Sequence, residues 1–177
     1  MWPVVLLMLT TLTLRLTPLD GQLLVEEALQ KNSKNGFSMH LLPNGAGFAV
    51  KDDRLLLNAV AMYQEISCTV HLEGIPIVTD NKLNVREPAI TTDGAVCNLA
   101  LALFKPKILQ SLEAHPWDLA KRLSKASADA KLSGPRLPPQ LGCVREDQIA
   151  IQAAEAKSND LVVNLAISPR PAGTPCP

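Results

Sequence analysis

The sequence predicts an α+β fold: an N-terminal amphipathic helix, an antiparallel β-meander, then helices and one returning strand. Three observations predict it. Leu24, Val25, Ala28 and Leu29 recur at helical spacing near the start. Ile66, Cys68, Val70 and Leu72 alternate strictly with Ser67, Thr69, His71 and Glu73, which puts the first set on a core face. Leu119, Ala120, Leu123, Ala126 and Ala130 then form a helical stripe in the second half.

Ahead of the first helix, Trp2 to Leu14 carries no charge, and Arg15 is the first ionic residue. The run is shorter than the roughly 20 apolar residues of a bilayer span and fits the apolar region of a secretory signal peptide. No Lys or Arg precedes it and no A-x-A site follows. The best cleavage point is after Gly21, with Leu19 an unusually large residue at the third position before the cut. Residues 1–21 are therefore read as a signal peptide, 22–168 as one globular domain and 169–177 as a proline-rich tail.

The helix is expected over Gln22 to Asn32, with Glu27 one turn before Lys31, and Lys34-Asn35-Gly36 stops it. Phe37, Met39 and Leu41 alternate with polar residues as a strand, and Pro43 to Gly47 is a turn. Phe48 to Lys51 continues extended, and Asp52-Asp53 turns the chain again. Arg54 to Tyr63 fits a buried strand or a helix. The strand from Ile66 is expected to end at Gly74-Ile75-Pro76, with weaker extended pieces at Pro76 to Thr79 and Lys82 to Glu87. Thr92-Asp93-Gly94 turns into the apolar run Ala95 to Phe104. Pro116 fits the first turn of a helix continuing to Leu132, with Lys121, Arg122, Lys125 and Lys131 on its polar face. Gly134 to Gly142 is a proline-rich loop. Arg145 to Lys157 reads as a helix, although its QIAIQ segment also alternates. Leu161, Val163, Leu165 and Ile167 define the last strand.

Acidic and basic residues balance at 17 each and aromatics are 3% of the chain, so neither the charge nor the stacking platform of a nucleic-acid binder is present. Cys68, Cys97, Cys143 and Cys176 suit two disulfides in one of three pairings, Cys176 pinning the tail to Cys143 or linking to another chain. No C-x-x-C spacing supports a zinc site or a redox pair, and no N-x-Ser/Thr sequon occurs. Cys176 is too close to the terminus for a prenylation box. Cys68 and Cys97 are too close, with no Trp between them, for an immunoglobulin cystine, and the Q-x-V-x-G loop of cystatin-like inhibitors is missing.

No nucleophile elbow, H-E-x-x-H or glycine-rich phosphate cradle occurs. His40 and His71 lie on polar strand faces and would share a metal or a proton only if their strands were neighbours. His115 reads as a helix-entry residue, and Lys121-Arg122 as a solvated face in preference to a processing site. The expected function is a secreted, disulfide-stabilised binding protein for an extracellular protein or a small apolar ligand, with no cofactor and no membrane span after cleavage. One alternative is an exported enzyme of hydrolase type using some of His40, His71, Asp52 or Asp80, which requires those groups to converge in one pocket. The other is a surface or structural protein retained at a membrane by an uncleaved N-terminus.

Overall fold

In the computed structural model, which describes residues 9–30, 36–114, 117–129, 131–138, 141 and 143–168, regular structure begins inside the segment read as a signal peptide. Strand β1 (Thr10–Leu16) has the sequence TTLTLRL. Thr11, Thr13 and Arg15 face water, Leu12 and Leu14 are half-buried and Leu16 is fully buried. That is the two-residue period of a strand with one wet face.

Helix α1 (Pro18–Gln30) follows directly. The expected helix is thus present but starts four residues earlier, and it is the second element of the fold, behind a strand. Its start has a clear cause. The Thr17 N–H donates to Asp20 Oδ2 at 3.1 Å, and the Asp20 N–H donates to Thr17 Oγ1 at 3.3 Å. This is a reciprocal capping box, with Pro18 at the first helical position, where its missing N–H costs nothing. Leu24, Val25 and Leu29 are buried, as their spacing predicts.

Five antiparallel strands form the larger sheet: β2 (Phe37–Leu41), β3 (Phe48–Lys51), β4 (Arg54–Tyr63), β5 (Ile66–Thr79) and β6 (Lys82–Thr92). Their order is β2-β4-β5-β6, with β3 sharing the β4 edge: β2 pairs with residues 59–63 and β3 with residues 54–57. Alternate burial of Leu55, Leu57, Ala59 and Ala61 resolves the ambiguous Arg54–Tyr63 segment as a strand.

β5 does not end at Gly74. It passes through a bulge between Glu73 and Ile75 and continues to Thr79. A Cβ at Gly74 would overlap Val85 of the neighbouring strand, so glycine is what lets the two backbones stay paired there. β4 pairs with β5 only as far as Gly74, and Pro76, paired with Val85 of β6, lies beyond the reach of β4.

Helix α2 (Ala95–Ala114) and helix α3 (Leu119–Ala128) come next. α3 starts later than expected: Trp117 is extended and bridges Leu83 at the β6 edge, and Asp118 caps the helix by accepting the Lys121 N–H at 3.0 Å. It also ends earlier, at Ala128. Arg122 is not on a solvated face; it pairs with Glu27 of α1 at 3.0 Å and donates to the Ser133 carbonyl.

Arg145 to Lys157 is not a helix. A single 3-10 turn (Glu146–Gln148) leads into β7 (Ile149–Lys157), which pairs with β8 (Asp160–Ile167). Ile149 and Ile151 are buried while Ala150 and Gln152 are exposed, so the alternation outweighs the helical propensity of the Ala- and Glu-rich stretch. The smaller sheet is ordered β1-β8-β7. β1 pairs with β8 from Thr10 opposite Ile167 to Leu16 opposite Leu161.

The two sheets meet where β5 packs on β7. α1 lies over β2 and β3, α2 over β5 and β6, and α3 beside the 3-10 turn, β6 and β7. Asn81 ties the sheets: its Nδ2 donates to the Ile149 carbonyl at 2.8 Å and its Oδ1 accepts the Ile151 N–H. Among the described residues no helix is long and apolar enough to cross a membrane.

Candidate functional site

The residues nominated for catalysis do not converge. His40 of β2 stands opposite Val60 of β4, which stands opposite Thr69 of β5, so β4 separates the strands of His40 and His71. Asp52 and Asp80 occupy different hairpin turns. Asp52-Asp53, Asp80-Asn81 and Ser158-Asn159 each have positive φ at both residues, as a two-residue type I′ hairpin demands. Asp and Asn tolerate that backbone better than other side chains do, which accounts for these aspartates without chemistry. His115, Pro116, Lys34, Asn35 and Ala130 lie outside the described residues.

His71 has partners of its own. Its Nδ1 lies 2.8 Å from Asn58 Oδ1 and its Nε2 lies 3.0 Å from Asp93 Oδ2. Asn58 is oriented by donating its Nδ2 to the Ala46 carbonyl at 2.9 Å. Both imidazole nitrogens are therefore engaged by neighbouring side chains, which leaves neither open to a metal or a substrate. A shallow groove of about 210 Å³ lies beside this cluster, lined by Asn58, His71, Glu73 and Thr91. No Ser or Cys lines it, and its one hydroxyl is that of Thr91. Among the described residues no three His, Cys, Asp or Glu side chains gather to hold a metal ion.

One ion pair visibly perturbs its members. Arg145 donates to both carboxylate oxygens of Asp147, at 2.9 and 2.6 Å. The side-chain hydrogen bond from Arg145 holds the Asp147 carboxyl below the usual carboxylate range, and the same bond raises the guanidinium. Both groups stand in open solvent on the 3-10 turn, where the pair shapes a loop rather than a cleft.

A ligand-sized apolar interior is not found where the helices meet the larger sheet. The cavity there, between Leu29, Met39, Leu72, Ile108 and Leu112, measures about 10 Å³. Ligand pockets run to roughly 300–1,000 Å³.

The first turn of α2 is instead tied down by a disulfide and by hydrogen bonds. Cys97 is disulfide-bonded to Cys68 of β5, with a Cα–Cα distance of 5.6 Å. Thr92 Oγ1 donates to Asn98 Oδ1 at 2.9 Å, and the Asn98 N–H donates to the Gly94 carbonyl. Cys143 is disulfide-bonded as well, while Cys176, with the rest of the 169–177 tail, lies outside the described residues. The inner face of α2, Ala100, Phe104 and Ile108, is buried against the sheet. The outer face is apolar too: Val96, Leu99 and Leu103 are 72%, 84% and 53% exposed. Their spacing of three and four residues aligns them in one ridge. A helical run without polar side chains, such as Leu99 to Phe104, is ordinarily enclosed, and this one is open on one side.

Sequence reading identified the apolar run but not its exposed face. The signal was there in the absence of any charge between Asp93 and Lys105. No protein family matches the chain, and neither does any curated protein or solved structure.

Proposed function

We propose that the protein is an exported, disulfide-stabilised binding protein that acts through its surface. The observation that carries this reading is the apolar ridge of α2, pinned to β5 by Cys97–Cys68. Crosslinks of this kind persist in oxidising compartments. An exposed apolar patch on a folded chain marks an interaction site more often than a packing defect. The small core cavity favours an extracellular surface partner over a small ligand held inside.

A second reading, retention by an uncleaved N-terminus, is favoured by the early start of the fold. A cut after Gly21 would fall within the first turn and a half of α1 and remove both β1 and the Thr17–Asp20 cap. Gly21 itself is buried, where a Cβ would overlap the Phe48 ring. Gln22, the residue a cut would expose, is buried with its Nε2 on the Leu42 carbonyl at 3.0 Å, a bond that N-terminal cyclisation would break.

Intact mass of the full-length chain expressed in a secreting cell separates the readings. Export predicts a product in the medium with no titratable thiol until reduction. A chain that stays inside the cell with free thiols defeats the export reading. A membrane-bound product that keeps Met1 or Trp2 favours the second reading over removal of residues 1–21.

A further inference from the structure

The outer ridge of α2 is the feature that folding does not account for. We propose that it docks on a lipid surface, with Val96, Leu99 and Leu103 inserted at the boundary of headgroups and acyl chains; this rests on the surface-binding reading above and names its partner.

Three observations favour lipid over protein. The first is size. A stable protein interface engages about 20–30 residues a side, and a ridge of three side chains on one helix falls far short. The second is composition. Protein hot spots draw on Trp, Tyr and Arg seated in pockets, and the ridge offers only aliphatic side chains on a convex helix. A bilayer interface demands apolar area and no complementary pocket, so it accepts such a ridge. The third is charge. No Asp or Glu occurs from Ala95 to Leu112, although Asp93 and Glu113 bracket the stretch; its charged residues are Lys105 and Lys107, and only Lys107, one turn after Leu103, stands on the ridge's side of the helix. Lys107 Nζ sits 4.3 Å from the centre of the Tyr63 ring, and Lys105 is free in solvent. A cation one turn beyond an inserted apolar face suits anionic headgroups. The cystine contributes by fixing the first turn of α2, so the ridge is presented without an ordering cost on binding.

The test is sedimentation of the full, oxidised chain with vesicles of phosphatidylcholine alone and of phosphatidylcholine with a third phosphatidylserine. The wild type is expected to bind both, and the anionic vesicles more tightly. L99D/L103D is expected to lower the partition coefficient at least about tenfold, because two apolar side chains no longer leave water on binding. Its thermal unfolding midpoint should match the wild type, since both side chains are already exposed. K107Q is expected to reduce the preference for anionic vesicles, whereas K105E, at a residue that points away from the ridge, is expected to change it less. A wild type that stays in the supernatant with both vesicles overturns the proposal, as does a double variant that binds undiminished. A wild-type dimer in analytical ultracentrifugation that L99D/L103D dissociates also overturns it, and assigns the ridge to a second copy. Export is read separately from the mass of the secreted chain, so failure of lipid docking and failure of the export reading are distinguishable.

Discussion

The two most apolar stretches of this chain, the N-terminal one ending in Thr10–Leu16 and the first half of α2, behave in opposite ways. In β1 the leucines alternate with Thr11, Thr13 and Arg15, and the structure uses that alternation: Leu16 is lost from solvent and the polar residues stay wet. Thr13 and Arg15 even find partners on β8, in Asn164 at 3.0 Å and Asp160 at 4.0 Å. In α2 no polar residue interrupts the run from Leu99 to Phe104, and burial splits it, with Phe104 enclosed while Leu99 and Leu103 face out. Apolar content alone thus does not decide burial. What decides is whether polar residues recur at the period of a structural element, and whether the rest of the chain supplies a partner face.

The comparison breaks most readily at the N-terminus. A chain beginning at Gln22 lacks β1, the buried Leu16 and the cap at Thr17, and it leaves β8 as an unpaired edge of a two-stranded sheet. Loss of the buried leucine and the cap together should cost about 4 kcal/mol or more. That is a large part of the stability of an ordinary domain. Urea unfolding of the refolded, oxidised chain with and without residues 1–21 measures it. Equal midpoints would show β1 to be dispensable and restore the simple signal-peptide reading of this segment.

On the α2 side the corresponding test is the crosslink. Cys68 and Cys97 are 29 residues apart, so C68A/C97A should lower stability by about 3–4 kcal/mol on loop-closure grounds. Amide exchange should rise first over Ala95 to Ala100, where Ala100 is the one buried apolar anchor and Cys97 is half-buried. Uniform loss of protection across the larger sheet would instead mean that the cystine supports the whole sheet and not the helix.

Much of this architecture was legible. The alternations at Phe37–Leu41, Ile66–Leu72 and Leu161–Ile167 read directly as strands, and Asp52-Asp53 read as a turn. Two of the failures share a cause, since each is a place where local propensity and long-range pairing disagree. Ala153, Ala154, Glu155 and Ala156 favour helix, yet β8 recruits them into a ladder that no local signal announces. Gly74 and Pro76 look like a strand end, but the bulge keeps β5 paired with β6 beyond them. Thr17-Pro18-Leu19-Asp20 is a different kind of miss: its capping signature was present in the sequence, but the apolar run before it suggested a leader instead. The exposed face of α2 was only half legible: the lack of charge from Gly94 to Phe104 marks an apolar segment, but the run from Leu99 to Phe104 carries no mark of which side meets the sheet.

The smallest expected effect is the most discriminating. Leu99→Ala removes a large side chain from a helix, but one that is 84% exposed, so little burial is lost and alanine is the better helix former. Its effect on stability should stay within about 0.5 kcal/mol, whereas Leu16→Ala, at a fully buried site, should cost about 2–5 kcal/mol. Urea midpoints of the two variants, measured side by side, place the regions on one scale. If Leu99→Ala proved as costly as Leu16→Ala, the ridge would already be covered within the folded chain and unable to serve as a docking face. If it is silent in the isolated protein, Leu99 on the outer ridge of α2 does no folding work, and its place in the sequence is explained by what the protein meets outside itself.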